Sequence, residues 1–290
     1  MNYGIQRKIL LFSFLFLPML LLVLFLAWPT CRMVFYSFTN WDGTLPTYEY
    51  VGLDNYTRSI TDQTLWLSLK NNSAYALVAI LQNIFALFFA VILSSKMKFK
   101  GFYKIMIFLP YVLNVTAVAY MFNFMYDFNS GPVNMFMRYI GLAPIKFFSD
   151  SNIAIFSLVS MSAWRWLGYT MVIYIAALQS IDVAVYEASS IDGANKWQTF
   201  RFITFPSIKR VIELQLFISL SGSLQAFTES LVLTKGGPAK ATYTFMYYII
   251  DTFVNFSDYG LASAMSVLLI LIILIIAGIQ RLVVKKGANI

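Results

Sequence analysis

Six long apolar stretches, separated by short polar segments, constrain this chain more than any other feature of its sequence. A helix of about 20 apolar residues is long enough to cross the hydrocarbon layer of a bilayer. Within that layer the backbone has to satisfy its own hydrogen bonds, and a helix does so inside one segment. The sequence therefore predicts an all-α polytopic membrane protein with six transmembrane helices in a single domain, residues 1–290. The predicted spans are residues 9–28, 72–93, 103–125, 153–178, 211–227 and 261–284.

The composition agrees with this prediction and removes most enzyme classes. Hydrophobic residues make up 59% of the chain and charged residues 12%, whereas about a quarter of a soluble domain is charged. The chain has no histidine and a single cysteine, Cys31. Histidine-based acid–base chemistry, an internal disulfide and a cysteine metal cluster are therefore excluded. We expect no catalytic residue, no metal site and no enzyme activity.

The first apolar stretch has two interpretations. Its length and its basic start would suit a cleaved signal peptide as well as a membrane span. Pro18 interrupts the stretch, however, and Ala27-Trp28-Pro29 is a poor cleavage site. These features favour an uncleaved first span.

The distribution of charge predicts the orientation. A formal net charge of +8 would suit nucleic acid, but the basic residues are spread among short loops between apolar stretches. Cytoplasmic loops of membrane proteins are enriched in lysine and arginine, so we expect both termini in the cytoplasm, lipid around the spans and no nucleic-acid partner. The basic side comprises Arg7, Lys8, Lys96, Lys98, Lys100, Lys104, Lys196, Arg201, Lys209, Arg210, Arg281, Lys285 and Lys286.

Arg165 lies near the middle of the fourth predicted span. A charge at that depth costs a few kcal/mol on insertion scales, so the side chain should face a partner, water or a cavity. Arg165 has two interpretations: it packs on Trp164 and Trp166 or on backbone carbonyls, or it lines a cavity and donates to substrate hydroxyls.

Polar residues also concentrate around the end of the fifth predicted span. Ser221, Gln225 and Thr228 recur at intervals of four and three, which places them on one face of a helix. Such a stripe is expected where a hydrophilic solute passes, although serines also let helices pack closely. Asn83 and Asn114 either add to this lining or bond neighbouring helices. The candidates for a substrate cavity are Asn114, Trp164, Arg165, Ser221, Gln225, Thr228 and Glu229.

Residues 183–206, called the hairpin below, form a polar interruption with the signals of two short helices. Asp192-Gly193 predicts a break, because glycine adopts left-handed conformations at little cost. Asn195 and Gln198 have the spacing of a capping box that starts the second helix. Pro206 either ends that helix or begins the next one. A simple interfacial helix lying on lipid is the alternative.

No glycine-rich phosphate loop of the Walker type is present, so this chain does not itself take energy from ATP. A stand-alone secondary transporter or channel would need inverted repeats and intramembrane acids for ion coupling. The apolar stretches contain no such pair of acids.

The hairpin closely resembles the EAA motif of permease subunits of binding-protein-dependent ABC importers. Ser189 and Phe205 depart mildly from that motif. Residues 51–56, 177–181, 233–238 and 259–264 are similar to permeases of carbohydrate importers, specifically the first, maltose-permease F-like subunit. Many relatives have Phe-Asp where this chain has Phe227-Thr228. The matching positions are Glu187, Ala188, Asp192, Gly193, Ala194, Phe200, Ile203 and Pro206.

The resemblance implies a type I ABC importer permease fold in a bacterial-type cytoplasmic membrane, and a sugar, in particular an oligosaccharide, as the cargo. It implies three protein partners: a second, G-like permease subunit, a dimeric ATP-binding subunit and an extracytoplasmic solute-binding protein. The eight matching positions would couple to the ATP-binding subunit, which binds ATP and Mg²⁺, and no cofactor is implied in this chain. Gly236, Gly237 and Pro238 would dock the solute-binding protein. Polyols, glycerol phosphate and amino sugars are alternative cargoes.

Overall fold

A computed structural model of the protein describes residues 3–95 and 97–287, and the side chains of residues 7, 10–95 and 97–282. Lys8, Lys96, Lys285 and Lys286, which contribute to the predicted orientation, lie outside the described side chains. The described chain is mostly helical, with one isolated bridge between Thr39 and Tyr50. The helices are α1 (Tyr3–Leu22), α2 (Trp28–Tyr36), α3 (Asp54–Thr61), α4 (Gln63–Ser94), α5 (Lys100–Val112), α6 (Val115–Met125), α7 (Pro132–Tyr139), α8 (Ala154–Gln179), α9 (Val183–Ile191), α10 (Lys196–Thr199), α11 (Phe205–Leu224), α12 (Phe245–Val254) and α13 (Tyr259–Gly287). Three π-helical turns cover Val23–Ala27, Phe200–Thr204 and Ser230–Thr234.

The number of membrane-length helices is not the predicted six. Among the described residues, three helices are long and apolar enough to cross a membrane: Leu10–Tyr36, Gln63–Ser94 and Tyr259–Leu282. The number rises to five if α5 with α6, and α8 with α9, are each counted as one span. The predicted span 211–227 falls on α11, whose sequence includes two bases and an acid in the stretch SIKRVIE. Charged residues are costly in contact with lipid, so α11 lacks the composition of a simple span.

The third predicted span is two helices rather than one. The axes of α5 and α6 differ by 99° across a short break. Leu113 has an extended backbone, and Asn114 caps α6 by accepting hydrogen bonds from the backbone amides of Thr116 (2.9 Å) and Ala117 (3.4 Å). An asparagine side chain that satisfies these free amides makes a helix start favourable at that position.

The chain divides into two compact units. The first comprises Met1–Gln63 and Ile249–Ile272, and the second comprises Thr64–Tyr248 and Ile273–Ile290. In the first unit, Asn55 Nδ2 donates to the carbonyl oxygens of Ser37 (3.1 Å) and Thr39 (2.8 Å). Arg58 and Asp258 form a salt bridge of 2.9 Å. These contacts hold the polar segment after α2 against α3 and the start of α13.

In the second unit, α5 packs closely against α8. A Cβ atom at Gly168 would lie 2.1 Å from the carbonyl oxygen of Ile107, so the two backbones meet at a position where only glycine fits. Buried apolar side chains, among them Met171, Tyr174 and Ile208, extend this packing into a core shared with α4 and α11.

Asn72 joins three separate parts of the second unit. Its side chain, 1% exposed, donates through Nδ2 to the carbonyl oxygen of Ser223 (2.6 Å) and accepts through Oδ1 from the amide of Phe245 (2.7 Å). The carbonyls of the last turn of a helix and the amides of the first turn have no partner within the helix. Asn72 therefore satisfies the end of α11 and the start of α12 together.

Candidate functional site

A cavity of about 320 Å³ lies within the second unit. Side chains of α4, α8 and α11, the segment that follows α11, and Val115 line it. Its walls combine aromatic rings, such as Tyr75, Trp166 and Tyr169, with amides and hydroxyls, such as Gln82 and Gln225. Small-molecule sites have this character: a concave, largely apolar surface with a few placed polar groups.

Arg165 and Glu229 bring opposite charges to the cavity wall. Glu229 is only 5% exposed, and Ser162 and Arg165 line the same cavity. The guanidinium of Arg165 lies 5.6 Å from the ring centre of Trp166. Arg165 Nε is buried and has no hydrogen-bond partner among the described residues. Arg165 thus packs on a tryptophan and lines the cavity, and its donation to substrate hydroxyls stays a prediction.

Some of the residues predicted to line a substrate cavity do line this cavity, and others do not. Arg165, Gln225, Thr228 and Glu229 line the cavity, whereas Asn114, Trp164 and Ser221 are not among its lining residues. Asn114 caps α6, and Trp164 contacts Phe122 at 5.6 Å between ring centres.

The predicted polar stripe on one helix face is not formed. Helix α11 ends at Leu224, before Gln225 and Thr228 and after Ser221. Ser221 Oγ is buried without a partner among the described residues. Gln225 and Thr228 belong to the segment that follows Leu224, and both line the cavity.

Part of the cavity wall belongs to a set of interhelical hydrogen bonds, called the polar ladder below. Thr170 Oγ1 lies 2.9 Å from Gln82 Nε2 and 3.2 Å from Gln215 Nε2, and these three residues line the cavity. Tyr174 also donates to Asn83 Oδ1 (2.6 Å), and Asn83 Nδ2 donates to Oγ of Ser219 (3.0 Å), a further cavity-lining residue. Asn83 therefore bonds neighbouring helices, one of its two expected roles, and is not among the cavity-lining residues. The adjacent polar pair Gln82-Asn83 within an apolar stretch was the sequence signal for the ladder.

The hairpin has the turn and the caps that its sequence predicts. Gly193 adopts φ +78°, and the amide of Ala194 donates to the carbonyl oxygen of Ser189 (3.0 Å), which closes α9. Asn195 and Gln198 form the capping box through hydrogen bonds of 2.8 and 2.9 Å. The predicted break and capping box are confirmed.

Pro206 does not end the second helix of the hairpin. The helix runs from α10 through the π-helical turn Phe200–Thr204 into α11, where Pro206 is the second residue. Pro206 has no amide to donate, and it follows directly after the π-helical turn, where the regular α-helical hydrogen-bond series is already interrupted. The hairpin is therefore continuous with the helix that lines the cavity.

The eight motif positions lie together on the hairpin but differ in exposure. Glu187, Ala188, Asp192, Gly193 and Pro206 are exposed, and Ala194, Phe200 and Ile203 are partly buried. Three large apolar side chains beside them also face outward: Ile191 is 86% exposed, Trp197 69% and Phe202 73%. Contiguous exposed apolar side chains on a structured element mark a surface for a partner or for lipid.

The Gly236-Gly237-Pro238 segment forms a tight loop after the cavity wall. Gly236 is buried at φ +80°, and a Cβ atom there would lie 2.2 Å from the ring of Tyr243. Thr242 Oγ1 donates to the carbonyl oxygen of Gly237 (2.8 Å). The three residues are buried or partly buried, and the neighbouring Lys235, Ala239 and Lys240 are exposed.

The long apolar helices and the mostly helical chain define an all-α polytopic membrane protein. The family follows from comparison with known sequences. Residues 8–287 match the family described as binding-protein-dependent transport system inner membrane component, and the chain belongs to this family. Members of this family are membrane components of transport systems and not enzymes.

Individual relatives are similar over nearly the full length of the chain. The chain is 32% identical to the "Probable ABC transporter permease protein YurN" of Bacillus subtilis (strain 168), covering 97% of this chain and 98% of the relative. It is 32% identical to the lactose transport system permease protein LacF of Rhizobium radiobacter, covering 90% and 89%. It is 30% identical to the trehalose/maltose transport system permease protein MalF of Thermococcus litoralis, covering 89% and 88%.

A solved structure has the same fold. A chain of a bacterial alginate ABC transporter, in complex with an alginate pentasaccharide-bound periplasmic protein, superimposes with a TM-score of 0.84 at 22% identity. The match covers 96% of this chain and 94% of that chain. At this identity the likeness concerns the fold.

Proposed function

We propose that this chain is the permease subunit of an ATP-driven importer that moves a sugar, in particular an oligosaccharide, into the cytoplasm. The relatives named for lactose and for trehalose and maltose support a carbohydrate as the cargo. Polyols and glycerol phosphate have no such support among these names.

The composition of the cavity supports the same cargo. Tyr75, Trp166 and Tyr169 offer ring faces, while Gln82 and Gln225 offer amide donors and acceptors. A sugar presents apolar C–H faces and a rim of hydroxyls, so it requires both kinds of group within one site. In this proposal Arg165, Gln225, Thr228 and Glu229 contact the cargo, while Asn114, Trp164 and Ser221 act on helix geometry behind it.

The observation that carries the proposal is the hairpin. It is a capped, structured element with exposed Ile191, Trp197 and Phe202, in a chain that has no Walker-type phosphate loop. We infer that it docks onto a dimeric ATP-binding subunit, which holds ATP and Mg²⁺. The hairpin would then be cytoplasmic, as would both termini.

The continuity of the hairpin with α11 suggests how energy reaches the cavity. Closure of the ATP-binding dimer would move the docked hairpin, and α10, Phe200–Thr204 and α11 would carry that movement to Gln215 and Ser219. The cavity would then open outward, where a solute-binding protein delivers the sugar near Gly236, Gly237 and Pro238. A second, G-like permease subunit would complete the pathway.

Reconstitution tests the proposal. The chain is assembled in proteoliposomes with a second permease subunit and an ATP-binding subunit of the same organism, and ATP hydrolysis is measured with the solute-binding protein and a panel of oligosaccharides. We expect hydrolysis and uptake to rise together for at least one sugar. Sugar uptake by this chain alone, without ATP or the ATP-binding subunit, would refute the proposal and favour a stand-alone transporter.

A further inference from the structure

We propose that α7 (Pro132–Tyr139) lies in the interface of the membrane, with its exposed apolar side chains among the lipids. This contact with the bilayer is independent of the cargo and of the ATP-binding subunit. It requires only that the chain is a polytopic membrane protein.

Helix α7 begins directly beyond the end of an apolar membrane segment. Helices α5 and α6, taken together, count as one span, and α6 ends at Met125. A Cβ atom at Gly131 would lie 2.7 Å from the carbonyl oxygen of Met125 and 2.5 Å from that of Asp127. The chain therefore turns back tightly on the end of α6, and α7 starts beside the point where the apolar segment ends.

The face of α7 that packs on the protein is polar. Asn134 is fully buried; its Nδ2 donates to the carbonyl oxygens of Asp127 (3.1 Å) and Ile145 (3.0 Å), and its Oδ1 accepts from the amide of Ile145 (2.7 Å). Arg138 follows four residues later, on the same side of the helix. Its guanidinium donates to two backbone carbonyl oxygens of the preceding turn, at 2.5 and 2.7 Å. The polar side chains of this face thus turn toward the backbone of neighbouring segments.

The opposite face of α7 is apolar and exposed. Met135, Phe136 and Tyr139 are exposed, Tyr139 to 88%. Ile140 and Leu142 extend this exposed apolar surface beyond the helix. Met135 with Tyr139, and Phe136 with Ile140, have the spacing of neighbours on a helix surface. The five side chains therefore form one surface, and α7 has no acidic residue.

Helix α3 provides a comparison, because it also has eight residues. Its exposed side chains are mostly polar, among them Asp54, Thr57 and Arg58, and such groups suit water. In α7 the polar side chains point inward and the apolar ones outward, the reverse of a helix on the surface of a soluble protein. Amphipathic helices that lie in the plane of the membrane interface bury such an apolar face among lipids, and tyrosines are enriched at that level.

The neighbour of α7 also suits lipid. Tyr120 and Phe124 on α6 are exposed and lie four residues apart, on one side of the helix. Helices α6 and α7 contact each other. Helix α7 is therefore held beside a membrane segment that presents aromatic rings outward, and lipid is the occupant that fits both surfaces.

Spin labels test this assignment in the assembled transporter, reconstituted in nanodiscs with a second permease subunit and an ATP-binding subunit that lack reactive cysteines. Cys31 is the single cysteine of the chain, so Cys31→Ser is the background for Phe136→Cys and Tyr139→Cys. We expect both labels to be accessible to oxygen and shielded from a water-soluble nickel complex, at a depth of about 5–10 Å into the headgroup–acyl boundary. Thr57→Cys on α3 is the matched control, and its label should be accessible to the nickel complex.

The labels distinguish lipid from the other occupants. Access of the nickel complex to both α7 labels would show that α7 lies in water. Shielding of both labels from oxygen and nickel alike would show that another protein subunit covers α7. Either result would overturn the lipid assignment while the sugar permease stands.

Hydroxyl-radical footprinting addresses the same surface without any substitution, since Met135, Phe136 and Tyr139 carry readily oxidised side chains. In the wild-type complex in nanodiscs we expect their oxidation to be several-fold slower than in the unfolded chain, with or without the solute-binding protein. Fast oxidation, or protection that requires the solute-binding protein, would overturn the assignment. Sugar transport enters none of these measurements, so a failure of the proposed cargo leaves their outcome unchanged.

Discussion

Replacing Gly193 by alanine tests whether the bend of the hairpin transmits energy to the cavity. Gly193 has φ +78°, and a Cβ atom added there meets no heavy atom within 4 Å. The substitution therefore introduces no clash, and its effect is confined to the backbone. A residue with a Cβ atom costs roughly 1–2 kcal/mol in the left-handed conformation.

That energy is enough to change the population of the bend. A difference of roughly 1–2 kcal/mol corresponds to a factor of about 5–30 in an equilibrium. In a docked hairpin the loss falls on the conformation that transmits movement, so we expect Gly193→Ala to lower sugar uptake per ATP hydrolysed several-fold. Membrane insertion and the basal ATP hydrolysis of the complex should be retained.

Gly141 provides a matched control. It has φ +81°, follows the last turn of α7, and likewise has no heavy atom within 4 Å of an added Cβ. Gly141→Ala carries the same backbone strain outside the hairpin, so both variants should lower the thermal stability of the complex equally. The assay is the ratio of labelled-sugar uptake to phosphate release in proteoliposomes. An equal loss of coupling in both variants, or none in either, would refute the assigned role of the hairpin.

Three further predictions concern the second unit. Gly168→Ala should destabilise the protein by about 1–3 kcal/mol in a thermal melt, since its Cβ would lie 2.1 Å from the Ile107 carbonyl oxygen. Gly278→Ala is the control: its Cβ would have no heavy atom within 4 Å, so the same melt should show no change or a higher stability. Tyr174→Phe should cost about 1–3 kcal/mol of unfolding free energy, because Asn83 Oδ1 loses its 2.6 Å donor in a buried site; no change in a denaturant series would argue against the polar ladder. Hydrogen bonds from the backbone amide and hydroxyl of Ser130 lower the pKa of Asp127 in the folded protein. The ionised carboxylate therefore stabilises the turn at 127–130 fully at any pH above the pKa that Asp127 has in the unfolded chain. This stabilisation is lost as the pH falls through the lower pKa of the folded protein. Hydrogen exchange of the Ser130 amide should therefore speed up, relative to intrinsic exchange, at acidic pH in the wild type, and lose this pH dependence in Asp127→Asn.

Local signals in the sequence were sufficient for the hairpin. The Asn195–Gln198 capping box and the left-handed Gly193 depend on residues three or fewer positions apart, and such short-range chemistry is visible in a sequence. The bend at Asn114 was also encoded locally, by an N-cap asparagine within an apolar stretch. Hydropathy nevertheless predicts one span there, because it averages over the break.

The end of α11 was not predictable, because its cause lies far away in the chain. The carbonyl oxygen of Ser223 is bound by Asn72, 151 positions earlier, which satisfies an acceptor that a longer helix would have used. Helical spacing therefore predicts one face with Ser221, Gln225 and Thr228, but α11 ends at Leu224 and the last two residues are not part of it. The presence of Arg165 and Glu229 at one cavity is similarly a product of tertiary structure, and helical periodicity carries no information about it.

Asn72 also has a consequence for how the protein is made. Since synthesis proceeds from the N-terminus, α4 is complete before Ser223 or Phe245 has been added to the chain. For that interval the amide of Asn72 has neither of its final partners, and an unsatisfied amide is costly in hydrocarbon. The insertion machinery, water or another segment of the chain must therefore hydrogen-bond this amide until the last third of the chain has been synthesised. A substitution at Asn72 should thus change the yield of correctly inserted protein more than it changes the transport rate of the protein that is inserted.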